Sequence, residues 1–192
     1  MTNEEHIRRV AILCCHCLRN IAFYRAGWKQ RDIRIKRQFW VNANGNFLDA
    51  AVLEWCKIFT DRNGKHYWKR IVSNHPLFAT GLYAHLGMTK REFENYAKPI
   101  LRYRNKFVAH LDDERVANIP RLSKALRSAA HLYDHLRNDP IAKQYLPDAK
   151  HSASECYAIM YRHAYPPEIA DTEASTFKTK LLRPVNPGKD DS

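Results

Sequence analysis

Apolar residues recur at steps of three and four along the first 26 residues, and this spacing constrains the fold more than any other feature of the chain. It places their side chains on one face of a helix. That face consists of Ile7, Val10, Leu13, Cys14, Cys17, Leu18, Ile21 and Tyr24. The spacing predicts a first long helix over Asn3–Ala26, which ends at Gly27. Strand-type alternation does not persist anywhere, so we predict an all-α fold.

The middle of the chain predicts a second helix and two shorter ones. The second helix lies between Phe39 and Phe59, and the Asn-rich run at 42–46 leaves its start open. A turn follows at 60–65, because its Asn-Gly pair tolerates positive φ. Two shorter helices are then expected, over 66–72 and 77–86.

A capping box marks the start of the next long helix, where Thr89 and Glu92 can each satisfy a free backbone donor. This helix runs toward Leu111, and Pro99 should kink or split it because proline removes one backbone donor. Two further helices are predicted from Pro120 to the residue before Asn138 and over 152–161. Ser152 and Glu155 give the second of them the same capping-box pattern at its start.

The 192 residues suffice for one domain with a hydrophobic core and only marginally for two. Helices joined by short turns imply an antiparallel, up-and-down bundle, which we assign to residues 1–164. The polar, proline-punctuated residues 165–192 are interpreted as a loosely held tail.

The chain is strongly basic, with 32 Lys and Arg against 20 Asp and Glu and a formal net charge of +12. Such a surplus favours polyanions, although membrane-surface and ribosome-bound proteins share it. The candidate RNA-binding residues are Lys29, Arg31, Arg34, Lys36, Arg37 and Lys106. The first five form a basic run beside Trp28, Phe39 and Trp40, which would combine phosphate attraction with stacking surface. The alternative is a solvated connector whose aromatic residues are tucked into the core.

Cysteine content and the absence of long apolar runs indicate a cytoplasmic protein with no membrane contact. The five cysteines are an odd number and are interpreted as free thiols. No apolar run approaches the length that crosses a bilayer, and Glu4, Glu5 and His6 interrupt the place of a signal peptide.

Two groups of residues invite a metal interpretation, and we predict no metal or other cofactor at either. Structural zinc needs four ligands, and the run Cys14–Cys17 has no second Cys/His pair at matching spacing. His131 and His135 are one helical turn apart, but Leu132 occupies the position of the metalloprotease glutamate. Surface or interfacial histidines are favoured there instead.

The segment around Arg104 places a cation at the edge of a buried helical stripe. On a helical wheel Ile100, Tyr103, Phe107 and Leu111 share the stripe, and Arg104 lies at its margin. A guanidinium in that place needs a carboxylate, an anionic ligand or a partner chain. His110 lies about 120° away from Arg104 on the same wheel. Either the helix loosens between them, or they converge through side-chain reach or across a two-fold axis.

The stretch Tyr103-Arg104-Asn105-Lys106-Phe107-Val108-Ala109-His110-Leu111-Asp112 combines an arginine, an adjacent polar residue and a histidine six positions after the arginine. It resembles the signature of the HEPN superfamily of helical-bundle proteins. The flanking segments Leu53–Phe59 and Trp68–Arg70 are similar to the AbiU-like branch, which is named for phage abortive infection. The resemblance covers residues 3–137 and leaves out the tail.

This resemblance implies a HEPN-like bundle that cleaves RNA without a metal ion, as a homodimer with Arg and His of both subunits in one cleft. In those terms His110 is the acid/base, Arg104 the phosphate clamp and Asn105 a polar support. A histidine that titrates near neutrality and a permanently charged arginine suit this chemistry. We expect a role in phage defence or in a toxin system, where an antitoxin would be a further partner.

Two alternatives stand beside the ribonuclease. One is a non-catalytic HEPN module that binds nucleotide, RNA or protein. The other is an unrelated bundle in whose core Arg104 pairs with Glu54 or Asp49.

Overall fold

The computed structural model describes residues 2–29, 32–34, 36–108 and 118–164. In these ranges the chain forms α1 (Asn3–Ala26), α2 (Gln38–Phe59), α3 (His75–Leu86), α4 (Lys90–Tyr103), α5 (Ser123–Asn138) and α6 (Ala153–His163). A π-helical turn continues α4 over Arg104–Val108, and short 3-10 helices lie at Trp68–Arg70 and Ala142–Tyr145. The predicted all-α class is confirmed, while the antiparallel HEPN-like arrangement is still a prediction. The predicted tail, residues 165–192, lies outside the described residues.

A two-residue antiparallel ladder interrupts the basic connector between α1 and α2. Its strands are β1 (Trp28–Lys29) and β2 (Asp32–Ile33), with Trp28 opposite Ile33. The sequence offered no alternation long enough to reveal so short a ladder. The fold class is unchanged, because this ladder is the one sheet among the described residues.

Helix α1 packs against α2, α5 and α6 and carries the apolar face that its spacing predicts. Six of the eight residues of that face are buried, and Leu13 and Tyr24 are partly buried. Within the described ranges, no helix is both long and apolar enough to cross a membrane.

The aromatic side chain of Trp55 joins α2, α4 and α5 in the core. Trp55 is fully buried and stacks on Phe59 with ring centroids 5.5 Å apart, and the ring of Phe93 in α4 lies at 6.0 Å. Its Nε1 donates a hydrogen bond of 2.8 Å to Oγ of buried Ser128 in α5. The single polar atom of this large apolar side chain is therefore satisfied inside the core.

Several helix boundaries differ from the predictions because tertiary contacts outweigh local propensity. Helix α2 begins at Gln38 and continues through the Asn-rich run at 42–46. Buried Asn44, with its amide oriented to satisfy both neighbours, donates to the carbonyl oxygen of Tyr24 and accepts from Trp28 Nε1. These bonds hold the start of α2 against the end of α1.

The remaining differences concern prolines and one short helix. Pro99 lies inside α4 without splitting it. Helix α3 begins at His75, two residues before the predicted start, with Pro76 in its first turn. Helix α5 begins at Ser123, three residues after Pro120, and the helix predicted over 66–72 is only the 3-10 turn at Trp68–Arg70. The capping boxes predicted at the starts of α4 and α6 are both present.

Candidate functional site

Helix α4 runs along α2 in the opposite direction, and its end brings Arg104 beside the middle of α2. Near the start of α4, the ring of Phe93 lies 6.0 Å from that of Phe59. At its end, the hydroxyl of Tyr103 donates a 2.8 Å hydrogen bond to Oδ1 of Asp49. Arg104 follows directly, and its segment contacts α2.

The segment predicted to carry the active site leaves α-helical geometry at Arg104. The π-helical turn Arg104–Val108 is wider than an α-turn, because its hydrogen bonds span five residues. The wheel drawn for a regular helix therefore applies only as far as Tyr103, where Ile100 and Tyr103 are buried as predicted. Lys106 is half-buried instead of pointing away. The described part of the interval from Arg104 to His110 is therefore not a regular α-helix, and the alternatives for how the two residues converge stay predictions.

The guanidinium of Arg104 is held by its chain neighbour. Its Nε and Nη2 donate hydrogen bonds of 2.9 and 2.7 Å to Oδ1 of exposed Asn105. Arg104 itself is half-exposed, so it does not carry the desolvation cost of a buried cation. It still faces α2, because its charge partly offsets the rise that burial causes in the pKa of Cys56.

The two carboxylates considered as partners for Arg104 have other partners, so the predicted pairing of Arg104 with Glu54 or Asp49 is wrong. The unrelated bundle itself stays an alternative. Asp49 accepts the hydroxyl hydrogen of Tyr103. Glu54 accepts a 2.9 Å hydrogen bond from Nδ2 of Asn20 and lies 3.5 Å from Nδ1 of His16. Burial raises the pKa of Glu54, although its contacts partly oppose this. Within the described ranges, Arg104 forms no salt bridge with either carboxylate.

The predicted RNA-binding cations take different positions. Lys36 and Arg37 are exposed immediately before α2. Arg34 is half-buried, and its Nε donates a 3.1 Å hydrogen bond to the carbonyl oxygen of Trp28. Lys29 lies in β1, while Arg31 lies outside the described residues. Among these cations the structure thus brings Lys36 and Arg37 together on the surface.

Two exposed aromatic rings stand beside these cations at the start of α2. Phe39 is 71% exposed and Trp40 is 47% exposed, and their ring centroids are 5.3 Å apart. The alternative in which the aromatic residues of this strip are tucked into the core is wrong for this pair. Trp28 is half-buried, since its indole donates to Asn44. We call Lys36, Arg37, Phe39 and Trp40 the aromatic-basic strip.

His110, the predicted acid/base, lies outside the described residues, and its role stays a prediction. Of the predicted catalytic residues, the structure brings together Arg104 and Asn105.

A cluster of histidines between α3 and α5 was not expected from the sequence. His85 stacks on His131 with centroids 5.1 Å apart, beside a cavity of about 270 Å³ that Arg127 and Asp134 also line. Burial lowers the pKa of His131 to about 4. His131 and His135 are half-buried where α5 packs on α3, and both lie against the ring of Phe78. Only the packing of α3 on α5 brings His85 to His131, and no local spacing signals it.

Cys14 and Cys17 of α1 pack in the hydrophobic core. Cys14 and Cys17 are fully buried, and all five cysteines of the chain are free thiols. In the part of the chain that the structure describes, no group of three or more His, Cys, Asp or Glu side chains is arranged to hold a metal ion.

Comparison of the chain with models of protein families, with curated proteins and with solved structures finds no match. The resemblance to the HEPN superfamily is therefore still a prediction from the residues that carry it.

Proposed function

We propose that this protein is a metal-independent endoribonuclease of HEPN type, built as an antiparallel bundle that acts as a homodimer. The observation that carries the proposal is the half-exposed guanidinium of Arg104, which Asn105 orients while the neighbouring carboxylates are occupied elsewhere. That arrangement suits a phosphate clamp. An arginine locked to a core carboxylate would not suit it.

The chemistry assigns one task to each residue. Arg104 keeps its charge at every physiological pH, and its planar fork of N–H donors matches the oxygens of a phosphate. Asn105 fixes the plane of that fork by accepting from two of its nitrogens. His110 removes the proton of the 2′-hydroxyl or protonates the leaving 5′-oxygen, as the resemblance implies. The copies of these residues in the second subunit complete the cleft.

The aromatic-basic strip supports RNA as the substrate class. The turn at Arg104 packs against α2, the helix that begins beside Arg37 and carries the rings of the strip in its first turn. Cations attract the phosphates of a single strand, and exposed rings such as Phe39 and Trp40 stack on its bases. The formal net charge of +12 adds long-range attraction. Phage defence or a toxin system, with an antitoxin as partner, would be the biological setting.

The second candidate is a module that binds RNA without cleaving it. The same strip favours it, because stacking and phosphate contacts require no acid/base residue. The two candidates differ in their dependence on His110.

The test is incubation of the purified full chain with total RNA in EDTA, with binding to a fluorescent single strand measured in parallel. We expect cleavage by the wild type and none by His110→Ala or Arg104→Ala. Arg91→Ala is the matched control, since it removes one exposed cation from the first turn of the same helix.

Three results would decide between the candidates. Cleavage lost in the His110 variant while binding persists supports the ribonuclease. Binding by the wild type without cleavage supports the module. Cleavage that survives both substitutions, or that requires Mg²⁺, contradicts the proposed mechanism.

A further inference from the structure

Helices α1, α3, α5 and α6 together line the cavity of about 270 Å³ beside His85 and His131. None of its lining residues belongs to the proposed ribonuclease site. Arg127, Ala130, His131 and Asp134 lie three, four and seven residues apart on α5, so their side chains share one face of that helix. The apolar part of the lining consists of Leu18, Leu126, Ala130, Ala153 and Tyr157. Apolar walls with a few polar groups are typical of sites for small molecules.

Arg127 is the cation of this cavity, and its charge is poorly compensated. Its Nη2 donates a hydrogen bond to the carbonyl oxygen of His85. Its Nε is shielded from solvent and has no hydrogen-bond partner in the part of the chain that the structure describes. Nor does Arg127 form a salt bridge there, and burial lowers its pKa because the charge loses hydration. A donor in this state favours a ligand that supplies an anionic acceptor.

The other polar groups of the lining leave room for an anion. Oδ1 of Asp134 accepts a 2.9 Å hydrogen bond from the backbone nitrogen of Ala153 and lies 3.6 Å from Nε of Arg137, so this carboxylate is already paired. Burial lowers the pKa of both His85 and His131, and the two imidazoles are therefore neutral near pH 7. A neutral imidazole still has an N–H group that can donate to an anion.

We propose that this cavity binds a small aromatic carboxylate whose carboxylate group pairs with Arg127. The aromatic side chains of His131 and Tyr157 in the lining favour a flat ring as the apolar body of the ligand. An apolar cavity of about 150 Å³ holds benzene, whereas drug-sized ligands occupy about 300–1,000 Å³. A volume of about 270 Å³ therefore suits one ring or two fused rings. His85 is exposed, so the ligand can enter from the end of α3.

The experiment titrates the purified full chain with 1-naphthoate in a calorimeter, without RNA, so that its outcome is independent of ribonuclease activity. Two further probes separate the contributions, because 1-naphthalenemethanol has the same rings without the charge and acetate has the charge without the rings. We expect one naphthoate per chain, about tenfold weaker binding of the alcohol, and no detectable binding of acetate. Absence of naphthoate binding at millimolar concentration, or equal binding of the alcohol, would overturn the proposal.

Two variants test the residues. Arg127→Met removes the charge and should weaken naphthoate binding about tenfold while leaving binding of the alcohol unchanged. Arg121→Met is the matched control, since it removes an exposed cation two residues before α5 and should bind as the wild type does. Ala130→Leu should fill the cavity and abolish binding of both ring probes, with circular dichroism to show that the variant folds. Unchanged naphthoate affinity in Arg127→Met or in folded Ala130→Leu contradicts the proposal.

A measurement on the wild type covers the case in which these variants fail to fold. In nitrogen–proton NMR spectra, naphthoate should shift the Nε–H signal of Arg127 and the ring signals of His131. If it shifts the indole signal of Trp40 instead, the ligand binds the aromatic-basic strip and the proposal is wrong.

Discussion

The hydroxyl of Tyr103 donates a 2.8 Å hydrogen bond to Oδ1 of Asp49, and it thereby fixes the end of α4 to α2 one residue before Arg104. Tyr103 is 7% exposed, and both burial and the bond to Asp49 raise its pKa. The position of the candidate phosphate clamp therefore depends on a neutral tyrosine and a carboxylate that is 54 residues away in sequence.

Tyr103→Phe should lower the free energy of unfolding by about 1–3 kcal/mol, because the carboxylate of Asp49 loses its partner. Urea denaturation followed by circular dichroism measures this loss. In an Asp49→Ala background the same substitution should cost much less, since the partner is already absent. Strictly additive losses would show that the pair is not coupled.

Gly27→Ala should destabilise the protein by about 1–3 kcal/mol. A Cβ at this position would overlap the side-chain amide of buried Asn44. That amide donates a hydrogen bond to the carbonyl oxygen of Tyr24 and accepts one from Nε1 of Trp28. The matched control is Gly45→Ala, where a Cβ meets nothing within 4 Å and alanine favours the helix by about 1 kcal/mol. Thermal melts that shift in the same direction for both variants would contradict this account.

Stability should decrease as pH falls from about 6.5 to about 4, the interval between the unfolded and folded pKa values of His131. Burial, with His85 and His135 nearby, lowers the folded value, so the unfolded chain binds the extra proton in this interval. His131→Gln removes the group that takes up this proton in the unfolded chain. Between pH 7 and pH 4.5 the wild type should lose about 1–2 kcal/mol more than the variant, allowing for solvent contact. The free energy of unfolding is measured by urea denaturation at each pH. If it falls equally with pH in the wild type and the variant, His131 is not the group responsible.

Replacement of both Phe39 and Trp40 by serine should weaken binding of single-stranded RNA about tenfold or more, because each stacked base contributes roughly 1–3 kcal/mol. Leu77→Ser is the control, since this side chain is 69% exposed at the start of α3, outside the strip. Fluorescence anisotropy at two salt concentrations measures the affinities. Equal losses of affinity in the double variant and in Leu77→Ser would show that the aromatic-basic strip does not bind RNA.

The sequence predicted what depends on local spacing. The apolar face of α1 and the capping boxes of Thr89 and Ser152 are set by residues within one or two turns of each other, and all three are confirmed. Contacts such as that between Tyr103 and Asp49 join residues that only the packing of helices brings together. No periodicity in one segment encodes them.

The candidate site was predictable to the same extent. The pattern singled out Arg104 and Asn105, and their mutual contact is a neighbour interaction. The exposure of Trp40 was not predictable, because an aromatic residue at a helix start suits a core as well as a surface. Nor does spacing reveal that His85 lies against His131, which depends on how α3 packs on α5.

The turn at Arg104–Val108 contains about one residue more per turn than the α-helix that it continues. Deletion of one residue from this turn would let α-helical geometry continue and would shift the side chains of the turn that follow the deletion by about 100° around the helix axis. A substitution such as Lys106→Arg would leave the number of residues in the turn unchanged. The proposed ribonuclease site should therefore depend on the number of residues in this turn as well as on their identities.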